Sequence, residues 1–167
     1  AAISQPDRPT GRGRETRPTP IHAAAEELGV CHLQTADVNT GDDTVAVLGS
    51  AEIGIVAAFG QRIGPQLLNR LPRGFVNIHG SLLPKYRGAA PIQRAILNGE
   101  ENTGVTIFQL NERWDAGAIW ASRATPLQET ETADELHDRL AELGADLMVA
   151  TLARLADGSL RPRAQDA

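Results

Sequence analysis

Apolar residues in this chain come as short runs and helical stripes that alternate along most of its length. Ile53 to Phe59, IGIVAAF, is an unbroken apolar run closed by Gly60, the pattern of a strand buried on both faces. Phe75 to His79 predicts a second buried strand, Gly104 to Leu110 a third, and Ala118 to Pro126 a fourth. The mixed composition of the fourth suits a sheet edge. Val30 to Leu33 predicts a further short strand. Between these lie short helical patterns over Ile21 to Leu28, Asp42 to Ser50, Gly64 to Arg70 and Ala90 to Asn98. Gly29 and Gly99 stand where helices stop, and Pro65 and Pro91 where they start. The longest helix opens on Thr132 as a cap, with Asp134 and Glu135 in its first turn. Leu136, Leu140, Leu143, Leu147 and Leu155 then recur at helical spacing up to Gly158. Strands alternating with helices predict an α/β fold with an open, mostly parallel sheet flanked by helices. Ligands of such sheets bind beyond the carboxyl ends of the strands.

Residues 5–20, QPDRPTGRGRETRPTP, interrupt this pattern with four prolines and two glycines and read as loop. The tail SLRPRAQDA reads as the start of a linker. The chain is therefore expected to hold one domain over 1–157, with a basic loop at 5–20, and a linker over 158–167.

With 167 residues the chain is long enough for one domain with a core. Aromatics make up only 4%, so that core is mostly aliphatic. A net charge of −5 argues against a protein that coats nucleic acid, and no DNA partner is expected. Arg8, Arg12, Arg14 and Arg17 nevertheless concentrate in the 5–20 loop, which suggests one anionic partner at one place. No apolar run approaches the ~20 residues of a membrane span, and no secretory leader opens the chain. No membrane partner is expected. The single cysteine, Cys31, excludes an internal disulfide and fits a reducing, cytoplasmic setting; it reads as a small buried residue. His22, His32 and His137 show no partner pattern and read as surface or packing residues. No cluster has metal-ligand spacing, so no metal is expected.

The chemistry concentrates at the end of the second strand, in FVNIHGSLLPKYRG. Residues two apart on a strand share a face, so Asn77 and His79 project together at the carboxyl end. An amide and an imidazole suit a carbonyl whose oxygen becomes negative during attack. Asp115, in the loop after the third strand, is the best carboxylate to tune the imidazole or carry a proton. Its loop is expected at the same end of the sheet. No nucleophile setting is present, which favours direct transfer of an acyl-type group between two bound molecules. Ser81 reads as a backbone-bonding turn residue. On spacing alone, an Asn-x-His pair at a strand end is more often structural than catalytic.

The stretch NIHGSLLPKYRGAAPIQRAI resembles the signature of the folate-dependent formyltransferases, and the likeness continues through GVTIFQLNERWDAGAI and the long helix. QPDRPTGRGRETRPTPI and RGAAPIQRAI resemble the branch of that family acting on methionyl-tRNA. The resemblance implies a Rossmann-like sheet, here lacking the family's first strand and βα unit, and no C-terminal domain. It implies formyl transfer from 10-formyltetrahydrofolate to the amino group of initiator methionyl-tRNA in translation initiation, by a monomeric parent protein. Asn77 and His79 would stabilise the oxyanion and Asp115 would assist. The folate would lie against Phe59, Gly60, Gln61, Ser81, Leu82, Leu83, Pro84 and Trp114, and the tRNA against Arg8, Arg12 and Arg14. Ala118 departs from the family, which usually has a polar residue there. Other acceptors, an amino-sugar nucleotide or water, and an inactive fragment remain alternatives.

Overall fold

A computed structural model describes residues 1–10 and 15–166. They belong to two units, one of Ala1–Glu52 with Phe59–Leu71, the other of Ile53–Ala58 with Pro72–Ala167.

In the first unit, β1 (Ala2–Ser4) is followed by β2 (Arg8–Thr10) and β3 (Glu15–Arg17), an antiparallel pair with Arg8 opposite Arg17. The proline-rich stretch, expected to be loop, is thus a small hairpin. Proline is tolerated because each strand of a two-stranded ribbon is an edge. Arg12 and Arg14 lie outside the described residues. Next, α1 (Pro20–Glu27) is capped by Thr19, whose hydroxyl accepts from the His22 N–H at 3.1 Å. β4 (His32–Gln34) then returns parallel to β1. Asp7 closes the base of the hairpin, accepting from the Thr19 N–H at 3.1 Å and pairing with His22 Nδ1 at 2.9 Å. His22 also stacks on His32 with centroids 4.6 Å apart, and His32 meets the Ser4 hydroxyl at 2.9 Å. These two histidines therefore do have partners, supplied by strands and loops distant in sequence. Cys31, expected to be buried, is exposed, because it precedes β4 rather than lying within it. α2 (Asp42–Leu48) and α3 (Pro65–Leu68) complete the unit.

The second unit is a four-stranded sheet in the order β5 (Gly54–Ala57), β6 (Phe75–His79), β7 (Asn102–Gln109), β8 (Ile119–Pro126). Only β5–β6 is parallel; β6–β7 and β7–β8 are antiparallel, so the sheet is mixed rather than mostly parallel. For β7 and β8 the reason is the short connection over 110–118, since a parallel return needs about a dozen residues or more. α4 (Pro91–Leu97) lies between β6 and β7 in sequence, and α5 (Ala133–Ala156) follows β8.

Alternation along the strands divides the sheet into two faces. Val76, Val105 and Ile107 pack with Leu136, Leu140, Leu147 and Met148 of α5. A Cβ at Gly144 would stand 2.8 Å from Ile78 Cγ2, so glycine there lets α5 lie close to the sheet. α5 packs against β6, β7 and β8. β5 lies beyond that cover, and its burial alternates, with Ile55 51% exposed; the expected two-sided burial is therefore absent at this edge. The other face carries Phe75, Asn77 and His79 beside Thr106 and Phe108.

α5 begins with a full capping box between Thr132 and Glu135. Just before it, Glu131 receives a bidentate pair from Arg139 at 2.8 and 2.7 Å. The tail after Gly158, expected to be the start of a linker, packs back along β8. Leu160 is buried, and Arg163 exchanges two backbone hydrogen bonds with Ile119 at 2.7 and 2.8 Å. Among the described residues no helix is long and apolar enough to cross a membrane.

Candidate active site

Strand alternation places the Asn77 and His79 side chains on the face away from α5, as their spacing requires. Asn77 is half-buried, and its amide makes no hydrogen bond to any described residue. His79 is 7% exposed, with its ring edge-on to Phe108 at 6.3 Å. His79 Nε2 donates to the Tyr86 carbonyl at 2.9 Å. A carbonyl offers no proton, so this bond fixes the proton on Nε2 and leaves Nδ1 for chemistry. Nδ1 faces Asp115 Oδ2 at 3.7 Å, within ion-pair range but beyond a hydrogen bond. The same Oδ2 accepts from the Gly88 N–H at 2.7 Å.

Asp115 meets His79 by a route unlike the expected one. β7 runs antiparallel to β6, so it ends beside Val76 and not beside His79. The 110–118 loop folds back across the sheet to bring the carboxylate to the imidazole. Two features hold that path. Gln109 N–H donates to the Ala118 carbonyl at 2.8 Å, closing the loop's base. Asp115 itself has φ of 45°, a left-handed conformation uncommon outside glycine.

The wall after β6 is built from local bonds. Ser81 is buried, and its hydroxyl donates to the Lys85 carbonyl at 2.6 Å. Its own carbonyl accepts from Thr106 Oγ1 at 2.7 Å, and that oxygen in turn accepts from the Leu83 N–H at 3.1 Å. Leu83 is buried with Phe108 and Ile119, so its side chain is core. The Leu83–Pro84 peptide is cis. Lys85 and the Tyr86 hydroxyl both bond Glu100, at 2.8 and 2.5 Å, and hold its carboxyl below the usual range. Pro84 is exposed, Leu82 half-buried, and Trp114 65% exposed.

Phe59, Gly60 and Gln61 belong to the first unit. There the Gln61 amide accepts from the Val38 N–H at 2.7 Å and donates to the Thr35 carbonyl at 2.9 Å. Its side chain is thus engaged in the protein. Arg8 is exposed on β2.

Sequence reasoning missed the backbone groups that orient the pair, the Tyr86 carbonyl and the Gly88 N–H, because no residue type signals them. It also missed Gln165, which lay in the presumed linker. Among the described residues no group of three or more His, Cys, Asp or Glu could hold a metal.

One face of an α/β sheet thus groups an imidazole held by a backbone carbonyl, a carboxylate 3.7 Å from it, and an amide two residues before it that bonds no described residue. The formyl transferase family model matches residues 1–152, and the chain belongs to that family. A methionyl-tRNA formyltransferase of Halorhodospira halophila is 46% identical over 99% of this chain and 53% of its own length. Phosphoribosylglycinamide formyltransferase of Bacillus halodurans shares the fold with a TM-score of 0.77 and 25% identity, over 93% of this chain and 79% of that one. The formyltransferase PseJ of Anoxybacillus kamchatkensis, solved with tetrahydrofolate and a formamido sugar nucleotide, has a TM-score of 0.71 and 22% identity, over 99% and 80% of the two chains. The chain spans about half the length of the curated relatives it matches.

Proposed function

We propose that this chain is the catalytic part of an enzyme that moves a formyl group from 10-formyltetrahydrofolate to the amino group of initiator methionyl-tRNA. The observation that carries the reading is the grouping of the Asn77 amide, which bonds no described residue, with the His79–Asp115 pair on one sheet face. The names of the relatives at 42–46% identity support the choice of acceptor.

In this reading the amine nitrogen bonds to the formyl carbon to give a tetrahedral oxyanion, which collapses as the bond to the folate nitrogen breaks. The Asn77 amide donates to the formyl oxygen as it gains charge. His79 presents Nδ1 to the same oxygen as a donor, beside the Asp115 carboxylate. Asp115 also relays the proton lost by the amine toward the departing folate nitrogen, directly or through water. Leu82, Pro84 and Trp114 offer surface for the folate ring. Arg8, with Arg12 and Arg14, approaches tRNA phosphates.

The test is a competition assay with labelled 10-formyltetrahydrofolate and three acceptors: initiator methionyl-tRNA, an amino-sugar nucleotide and water. Label in formylmethionyl-tRNA is the expected result. Label in the sugar, or release as formate, would move the acceptor assignment elsewhere in the family.

A further inference from the structure

We infer that Gln165 is a positioning residue for this reaction, its single carboxamide tying together the two loops that hold His79 and Asp115. Gln165 Nε2 donates to the Asp115 carbonyl at 2.8 Å and to the Gly117 carbonyl at 2.7 Å. Gln165 Oε1 accepts from Arg87 Nε at 3.0 Å and from Arg87 Nη2 at 2.8 Å. Arg87 stands between Tyr86, whose carbonyl orients His79, and Gly88, whose N–H holds Asp115 Oδ2. One side chain therefore joins the wall that fixes the imidazole to the loop that delivers the carboxylate.

The chemistry of the side chain suits the task. A primary amide has two N–H donors and one acceptor oxygen, and all are engaged. A glutamate at this position keeps the acceptor for Arg87 but faces two carbonyl oxygens with no donor. The tail is anchored to make the contact repeatable: Leu160 is buried, and Arg163 pairs with Ile119 two residues before Gln165. Asp115 also needs such support, because a non-glycine residue holds a left-handed backbone only where its surroundings over-determine it.

This inference rests on the proposed formyl transfer for its kinetic consequence but not for its structural one. The experiment takes the 167-residue chain with Gln165→Ala, Gln165→Glu, Asp115→Asn and the double variant Gln165→Ala/Asp115→Asn. Two readouts are made, formyl transfer to methionyl-tRNA and the ¹⁵N signature of the His79 ring. Both Gln165 variants are expected to lower kcat by about tenfold to a hundredfold, the scale of a misplaced group. KM for each substrate should stay within about threefold. The double variant should lose less than the product of the two single losses, since Gln165 acts in part through Asp115. The ¹⁵N spectrum of the parent should show a protonated Nε2 in one environment, and both Gln165 variants should show a mixture of environments. An unchanged kcat and ring signature would overturn the inference, as would a full additional loss in the Asp115→Asn background. Unfolding of both Gln165 variants would also overturn it, leaving a structural role alone. A parent chain that formylates no acceptor would count against the proposed function, and the ring signature would then decide the role of Gln165.

Discussion

Replacing Gly117 with alanine puts the loop that carries Asp115 under a defined stress. The new Cβ would stand 1.7 Å from the Gln109 carbonyl oxygen and 2.9 Å from its carbon. Real Cβ atoms essentially never approach within 3.0 Å, and both neighbours are backbone, so no rotamer change relieves the clash. The two segments must part by about 1 Å or more. That strains the 2.8 Å bond from Gln109 N–H to the Ala118 carbonyl and the 2.7 Å bond from Gln165 to the Gly117 carbonyl. Overpacking of this kind costs about 1–3 kcal/mol, and each weakened bond about 1 kcal/mol more. A loss of about 3–5 kcal/mol is expected from urea unfolding. Gly117 lies two residues from Asp115, so a shift of this size should also cost on the order of 10²-fold in single-turnover rate. Gly158→Ala is the control. Gly158 has φ of 72° with nothing within 4 Å of the added carbon, so only the backbone cost of about 1 kcal/mol applies and the rate is unchanged. A Gly117→Ala protein as stable and as active as Gly158→Ala would refute the reasoning.

Other consequences follow from single contacts. Leu136→Ala empties a fully buried position between α5 and the sheet and should lower stability by about 2–5 kcal/mol in urea, with no change in denaturant slope. Arg139 holds the Glu131 carboxyl below the usual range. Stability from this pair is therefore full above the ordinary glutamate value of about 4.3 and is lost as pH falls through the lowered folded value. The gap in urea midpoint between the parent and Glu131→Gln should be widest near neutrality and close in acid; a constant gap would contradict the assignment. Arg8→Ala should reduce the salt slope of tRNA binding by about 1, and an unchanged slope would contradict a phosphate contact at Arg8.

Much of this arrangement is legible in the sequence because it follows from local periodicity. β6 runs over Phe75–His79, as its apolar run and terminal polar pair require, and α5 starts at its Thr132 cap. Strand direction is not a local property. Nothing within GVTIFQL distinguishes a parallel from an antiparallel neighbour, so the mixed sheet had to come from the structure. The Asp115 carboxylate lies 3.7 Å from His79, but the loop reaches it by folding back rather than by emerging at the strand's end. The Asp7–His22–Gln34 network and the Gln165 clasp join residues far apart in the chain. Each of those residues looks ordinary in its own segment. The hairpin at Arg8–Arg17 escaped because prolines signal loops unless they sit on edges.

The most direct test of the account is the single-turnover rate of formyl transfer to initiator methionyl-tRNA by the parent chain and by Asn77→Ala. Affinity for a non-reactive 10-formylfolate analogue is measured on the same samples. Asn77 engages no described residue through its side chain, so its loss should leave the fold and the analogue affinity in place. The rate should fall on the order of 10²–10³-fold, the cost of one oxyanion donor. A rate within about threefold of the parent, at equal affinity, would contradict the claim that this strand end is where charge develops.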